Sequence, residues 1–364
     1  MRARGVHYVP VSVGAAGAYV TGDAVTFVVP DPDHALSGVR LVQDVRIPGD
    51  QLDFRRPAEA ADRWVLEIAR PPVLRMEYLL ERHFTGGGQA TGLDPGNPRQ
   101  VGGAFGPKSV LEFPGYSPPR WLTGPAEPGT SEDTELQAPP LNAAIPVRVW
   151  SPADAPDDEP LPMLFAHDGP EYDTLSQLTG YLSAGLTGRW LPRLRAALLS
   201  PGPRDRWYSA NASYARALRR SVMPALAARY ATKSRVGLGA SLGALALLHA
   251  HCHYPDAFDA LLLESGSFFS PEHDGQERRF PFYRRIVGFV SGVQHGRLPG
   301  RPIPVKLTCG VIEENLANNH AMTGALARLG YQASLRELAD MHSYTAWRDA
   351  FDPNLTELLW QVCP

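Results

Sequence analysis

Cysteine is scarce in this chain: three in 364 residues, Cys252, Cys309 and Cys363, odd in number and far apart. That excludes a disulfide framework and implies reduced thiols, hence a cytoplasmic chain. An excess of one charge is lacking too. A net charge of −3 at pH 7 excludes a broad nucleic-acid groove or a polybasic membrane patch. No apolar run reaches the roughly 18 residues of a membrane span. The opening stretch, MRARGVHYVPVSVG, has neither the apolar core nor the small-residue cleavage site of an export leader. Internal repeats are absent. What is present, 44% hydrophobic and 20% charged residues, is ordinary globular composition, at a length sufficient for about two domains.

The first of these spans residues 1–122. Short alternating or apolar runs (Val25–Val29, Val39–Val42, Trp64–Ile68, Met76–Leu80) are separated by turn residues such as Pro30-Asp31-Pro32 and Pro48-Gly49-Asp50. That spacing predicts a small antiparallel sandwich. Residues 123–140 shift to Gly, Pro, Glu, Ser and Thr and read as a linker. From 141 to 364, strand-like runs at Ile145–Trp150, Leu161–Ala166, Leu194–Leu199, Ala260–Leu263, Pro304–Cys309 and Ala333–Leu338 alternate with helical patterns. The helices are expected at Ala212–Tyr230, Ser241–His253, Asn315–Leu329 and Tyr344–Gln361. Such alternation implies a doubly wound α/β sheet. Pro224 is expected to kink or split the first of these helices.

Chemistry concentrates at Gly239-Ala240-Ser241-Leu242-Gly243, between a strand-like run and an Ala/Leu-rich helix. This is the G-x-S-x-G pattern of a nucleophile elbow. A serine raised on a strained strand-to-helix turn needs flanking residues without bulk, and the helix aims its first amides at an oxyanion above the serine. Gly237, Gly239, Gly243 and Glu264 offer a competing dinucleotide reading, but that fingerprint follows the first strand of its unit, and here several strands precede it. A serine nucleophile also needs a base and an orienting acid. His342 follows the last expected strand; Glu313 and Glu314 follow Pro304–Cys309, and Asp340 precedes the histidine. Glu313 is the expected acid, with Glu314 and Asp340 open. His249, Cys252 and His253 have a spacing that could hold zinc, but the helix behind an elbow is expected to be buried, so no metal is assigned.

The chain resembles the enterochelin (iron-siderophore) esterase-like family, within the esterase D group of the α/β-hydrolases. The resemblance is carried by Leu93-Asp94-Pro95-Gly96-Asn97-Pro98, Phe113-Pro114-Gly115-Tyr116, His167-Asp168-Gly169, Arg204 with Tyr208, the Ser241 elbow, Ser265-Gly266-Ser267-Phe268-Phe269, and His342 with Trp347-Arg348. It implies an immunoglobulin-like β-sandwich followed by an α/β-hydrolase domain. It further implies backbone amides of Gly169 and Leu242 as oxyanion donors, and Arg204, Tyr208 and Trp347 as substrate contacts. The chain departs from the family at Met341, where a glycine is usual, at Arg206, where an acid is common, and at Pro170, which removes an amide beside the oxyanion site.

The expected activity is hydrolysis of a carboxylic ester through an acyl-enzyme, without metal or organic cofactor. If the resemblance extends to substrate, the ester is an enterochelin-like siderophore trilactone. The alternatives are a general acyl esterase or acyltransferase, and a binding protein on a hydrolase shell. The partner expected is this small-molecule ester, with no nucleic acid and no membrane; oligomeric state and the role of the segment 269–293 stay open.

Overall fold

The computed structural model describes residues 16–44, 47–298 and 300–362; the opening stretch 1–14 and Cys363 lie outside them. The chain divides into two compact units at Gly115/Tyr116, close to the boundary expected at 122.

The first unit is antiparallel throughout. Strands β1 (Gly17–Thr21), β2 (Ala24–Pro30) and β4 (Arg63–Ala69) form one sheet, in the order β1-β2-β4. The second sheet has β3 (Leu36–Gln43), β5 (Arg75–Phe84), β8 (Lys108–Glu112) and β7 (Gln100–Val101) in that order, with β6 (Gln89–Gly92) also on β5. Phe27 of one sheet meets Tyr78 of the other edge-on, ring centroids 5.1 Å apart, which makes the unit a sandwich with its core between the sheets. The Asp-Pro-Gly-Asn-Pro motif closes one end. Tyr78 Oη donates to Asp94 Oδ2 at 2.7 Å, and Asn97 Nδ2 donates to the Val110 carbonyl at 2.9 Å.

The second unit is built on an eight-stranded sheet. Its strands are β9 (Thr130–Ala138), β10 (Ala143–Ser151), β11 (Leu161–His167), β12 (Arg195–Leu199), β13 (Thr232–Ala240), β14 (Ala260–Glu264), β15 (Pro304–Gly310) and β16 (Gln332–Leu338), in the order β9-β10-β12-β11-β13-β14-β15-β16. Strands β11 to β16 run parallel, and β9 and β10 are antiparallel additions at one edge. Along the fully buried β11, Met163 and Phe165 point into one apolar core while Leu164 and Ala166 point into the other. Helices α1 (Gly169–Ser176), α2 (Leu178–Thr187), α9 (Tyr344–Asp349) and α10 (Phe351–Val362) cover the second face. Helices α3 (Arg204–Tyr208), α4 (Ala212–Ala217), α5 (Met223–Arg229), α6 (Leu242–His253), α7 (Tyr283–Gln294) and α8 (Leu316–Arg328) cover the first. This is the doubly wound α/β-hydrolase sheet expected, following the expected β-sandwich in sequence.

Of three local expectations, two are corrected and one is met. The linker at 123–140 contains β9, which pairs with β10 over its whole length, from Ala138↔Ala143 to Thr130↔Ser151. Its polar composition is that of an edge strand with mostly exposed side chains. The helical pattern at 212–230 is divided before Pro224, as expected. A π turn at Leu218–Val222 joins α4 to α5, so the wider turn precedes the residue that lacks an amide. The C-terminal helix is two, because Asp352 leaves helical geometry (φ −99°, ψ 125°) before Pro353.

The segment 269–293 is docked. Phe269 stacks on Tyr283, Ile286, Phe289, Val290 and Val293 of α7 enter the core, and buried Asp274 accepts from Asn318 Nδ2. On α6, His249 and His253 pack against Phe289, and Cys252 bonds Tyr331. Among the described residues no helix is long and apolar enough to cross a membrane.

Candidate active site

The carboxyl ends of the parallel strands are in register. Ala240, at the end of β13, pairs with Glu264 of β14, Glu264 with Thr308 of β15, and Gly310 with Leu338 of β16. The chain reverses direction across the sheet between β11 and β13, the switch point where open α/β sheets leave a crevice. The turns that leave these two strands carry Gly169 and Ser241.

Ser241 adopts φ 55°, ψ −122°, a conformation rare for a residue with a side chain and stored only where surroundings enforce it. They do so here. Ser241 N donates to the Glu264 carbonyl at 2.8 Å, and Ser267 N donates to the Ser241 carbonyl at 3.1 Å. The flanking glycines are required by close approach: a Cβ on Gly239 would lie 2.8 Å from the Gly243 backbone, and one on Gly243 would lie 3.3 Å from Asp168 Oδ2. Ser241 itself is part-exposed.

Of the three carboxylates expected near His342, Glu313 is the one that bonds it: His342 Nδ1 lies 2.7 Å from Glu313 Oε2. A carboxylate only accepts, so Nδ1 carries a proton, and in the neutral ring the lone pair is left at Nε2. The Glu313 side chain is buried and that of His342 is about one-third exposed. Glu313 Oε1 accepts from Gly310 N at 2.7 Å and from Ser265 Oγ at 2.8 Å. Gly310 permits this, since a Cβ there would stand 2.8 Å from Glu313 Oε1 and collide with the Asp340 carbonyl. Cys309 also bonds Glu313; burial, then that carboxylate, pushes its thiol up. By contrast, Glu314 is exposed and accepts from Gln276. Asp340 Oδ1 accepts from the Met341 amide at 2.9 Å, and the Met341 side chain is buried.

One loop joins the two halves. Glu264–Ser267 grips Ser241 by three bonds and Glu313 by one, so this loop ties the Ser241 turn to the carboxylate that His342 bonds. Sequence reasoning recorded Ser265 and Ser267 without giving them a role. It missed the asparagines of α8 that hold their loop, Asn315 and Asn319; only their clustering in NLANNH hinted at them.

Gly169 and Leu242 each open a helix, where an amide has no acceptor within the helix. Pro170 follows Gly169 and leaves Glu171 as the next amide on α1. The residues expected to contact substrate are placed differently from one another. Arg204 makes a two-point ion pair with buried Asp168, at 2.9 and 2.8 Å, and keeps part of its guanidinium exposed. Tyr208 is fully buried, stacked on His167 with centroids 4.7 Å apart, so it braces the Gly169 turn instead of facing a ligand. Trp347, 5% exposed, donates to Ser265 Oγ at 3.0 Å and meets the His342 ring edge-on at 5.0 Å. It packs against the back of the His342 ring. Arg206 is exposed, its carbonyl accepting from Arg285.

Beneath the site lies a second carboxyl. Glu264 is fully buried and accepts from Tyr172 Oη at 2.7 Å. Burial pushes its carboxyl well above the usual range; the Tyr172 and Thr308 hydroxyls offset part of this, and the Glu313 charge adds to it. Glu264 therefore holds its proton to higher pH in the fold than in the unfolded chain. The unfolded state binds fewer protons, so this group's contribution to stability falls as pH rises above its unfolded value. Glu264→Gln, neutral at every pH, is expected to gain stability over the wild type as pH rises above the ordinary glutamate range, by up to about 1.4 kcal/mol per pH unit. Urea unfolding at several pH values checks this; a pH-independent difference would show Glu264 ionised in the fold.

The sequence and the fold both have known relatives. A family model for putative esterases matches residues 138–285. The iron(III) enterobactin esterase of Dickeya dadantii is 28% identical over 218 residues, covering 55% of this chain and 49% of that protein. The chain thus matches about half the length of that curated relative. The enterochelin esterase of Shigella flexneri superposes with TM-score 0.75 at 20% identity, over 96% of both chains. The ferric enterobactin esterase of Salmonella typhimurium gives 0.74 at 21%, over 93% of both. Residues 138–285 thus match the putative esterase family model, and over nearly its whole length the chain has the α/β-hydrolase fold of these solved esterases.

Proposed function

We propose that the chain is a serine esterase that opens a siderophore trilactone of the enterobactin kind, releasing its iron in the cytoplasm. The observation that carries the esterase reading is the Glu264–Ser267 loop, which binds a strained, accessible Ser241 on one side and the Glu313–His342 pair on the other. His342 Nε2 takes the Ser241 proton as Oγ attacks the ester carbonyl. Glu313 holds Nδ1–H and stabilises the imidazolium. The Gly169 and Leu242 amides receive the oxyanion, one such donor being worth about 3–4 kcal/mol. The alkoxide leaves with the proton from His342, and water then releases the acyl group by the same steps. No step requires a metal or an organic cofactor.

The substrate assignment is supported by the relatives, whose names specify enterobactin or enterochelin. It is tested by assaying a catecholate trilactone beside p-nitrophenyl esters of rising chain length. Preferred turnover of the trilactone is expected. Strong turnover of long acyl chains with none on the trilactone would replace it with a general acyl esterase, and no turnover or acyl transfer on any ester would favour a binding protein.

A further inference from the structure

The loop after β14 brings a second hydroxyl to the nucleophile. Ser267 Oγ lies 3.0 Å from Ser241 Oγ, on a side chain only 4% exposed, and its amide holds the Ser241 carbonyl at 3.1 Å. The peptide before it cannot turn away. Asn319 Oδ1 accepts from Gly266 N at 3.1 Å, and its Nδ2 donates to the Gly266 carbonyl at 3.0 Å. Asn315 Nδ2 reaches the Ser265 carbonyl at 3.3 Å.

A pair of hydroxyls has a direction, because each oxygen has one hydrogen. Once Ser241 offers its hydrogen to His342, the bond between the two oxygens uses the hydrogen of Ser267. We infer that Ser267 is a catalytic residue that donates to Ser241 Oγ and acts mainly in deacylation; this rests on the serine esterase reading. In deacylation, water adds to the acyl carbon while His342 Nε2 takes its proton. The bond from that carbon to Ser241 Oγ then breaks. Its electron pair stays on Oγ, which receives the proton from His342, while Ser267 keeps its own proton throughout. A donor at Oγ stabilises the charge that grows there as the bond breaks. In acylation the same donor makes Oγ a slightly weaker nucleophile, so its removal should not slow that half of the cycle.

The test compares the wild type with Ser267→Ala and Ser267→Cys, a similar shape with a weak donor. Stopped-flow turnover of p-nitrophenyl acetate is measured beside labelling by a fluorophosphonate. Labelling and burst rates are expected within about threefold of wild type in both variants, while steady-state turnover falls about tenfold, the effect of one hydrogen bond at a charged atom. Intact mass should show acyl-enzyme accumulating. Labelling and turnover falling in step would overturn the inference, leaving Ser267 a support of the elbow, and so would unchanged turnover. A wild type that takes no label would instead overturn the serine mechanism itself.

Discussion

Ser241→Ala is expected to lower ester turnover on the order of 10⁵-fold and to abolish fluorophosphonate labelling, with the fold intact. The backbone bonds that shape the turn, Ser241 N to the Glu264 carbonyl and Ser267 N to the Ser241 carbonyl, do not involve the hydroxyl. The Leu242 and Gly169 amides remain, so some rate over water should persist. Steady-state kinetics and circular dichroism read both parts. A label that survives would place the nucleophile elsewhere, and peptide mapping would tell whether neighbouring Ser267 had taken the role.

The second large effect is at Glu313. Glu313→Gln is expected to reduce kcat about 10³–10⁴-fold, with little change in the overall structure. Two donors, Gly310 N–H and Ser265 O–H, converge on Oε1, and they will hold the amide oxygen of glutamine in that place. The amide nitrogen is then turned toward His342 Nδ1, where it can only donate. The imidazole must answer with a lone pair at Nδ1 and its proton at Nε2, the wrong tautomer for accepting from Ser241. Glu314→Gln, at an exposed side chain, should stay within about threefold, since charges this far from the pair act weakly through solvent. A loss in Asp340→Asn as large as that in Glu313→Gln, with Glu313→Gln active, would move the acid.

Periodicity was sufficient for the catalytic sheet because its central strands are buried on both faces. Leu161–His167 and Ala260–Glu264 are nearly pure apolar runs between turn residues. It failed at Thr130–Ala138, where an edge strand with few buried side chains has the composition of a connector. The elbow was legible because its glycines follow from local geometry. Glu313 was the acid expected, but Glu314 and Asp340 stayed open beside it, since the three differ in sequence only by position and in the fold by which way each turns. That is decided by space over Gly310 and by donors from three separate segments. That Tyr208 and Trp347 are buried was illegible for a related reason. Residue type records that a ring stands near a site, whereas burial decides whether it meets a ligand or another side chain.

The edge strand β9 also dictates where the hydrolase unit can be cut from its neighbour. The chain is committed to that unit well before residue 138: Tyr116 Oη donates to Asp349 Oδ2 at 2.8 Å, Trp121 meets Tyr181 edge-on, and Thr130–Ser151 is already a ladder rung. A fragment starting at 138 would strip β10 of its outer partner and leave a bare row of amides and carbonyls open to intermolecular pairing. Excision at Tyr116 keeps that row covered.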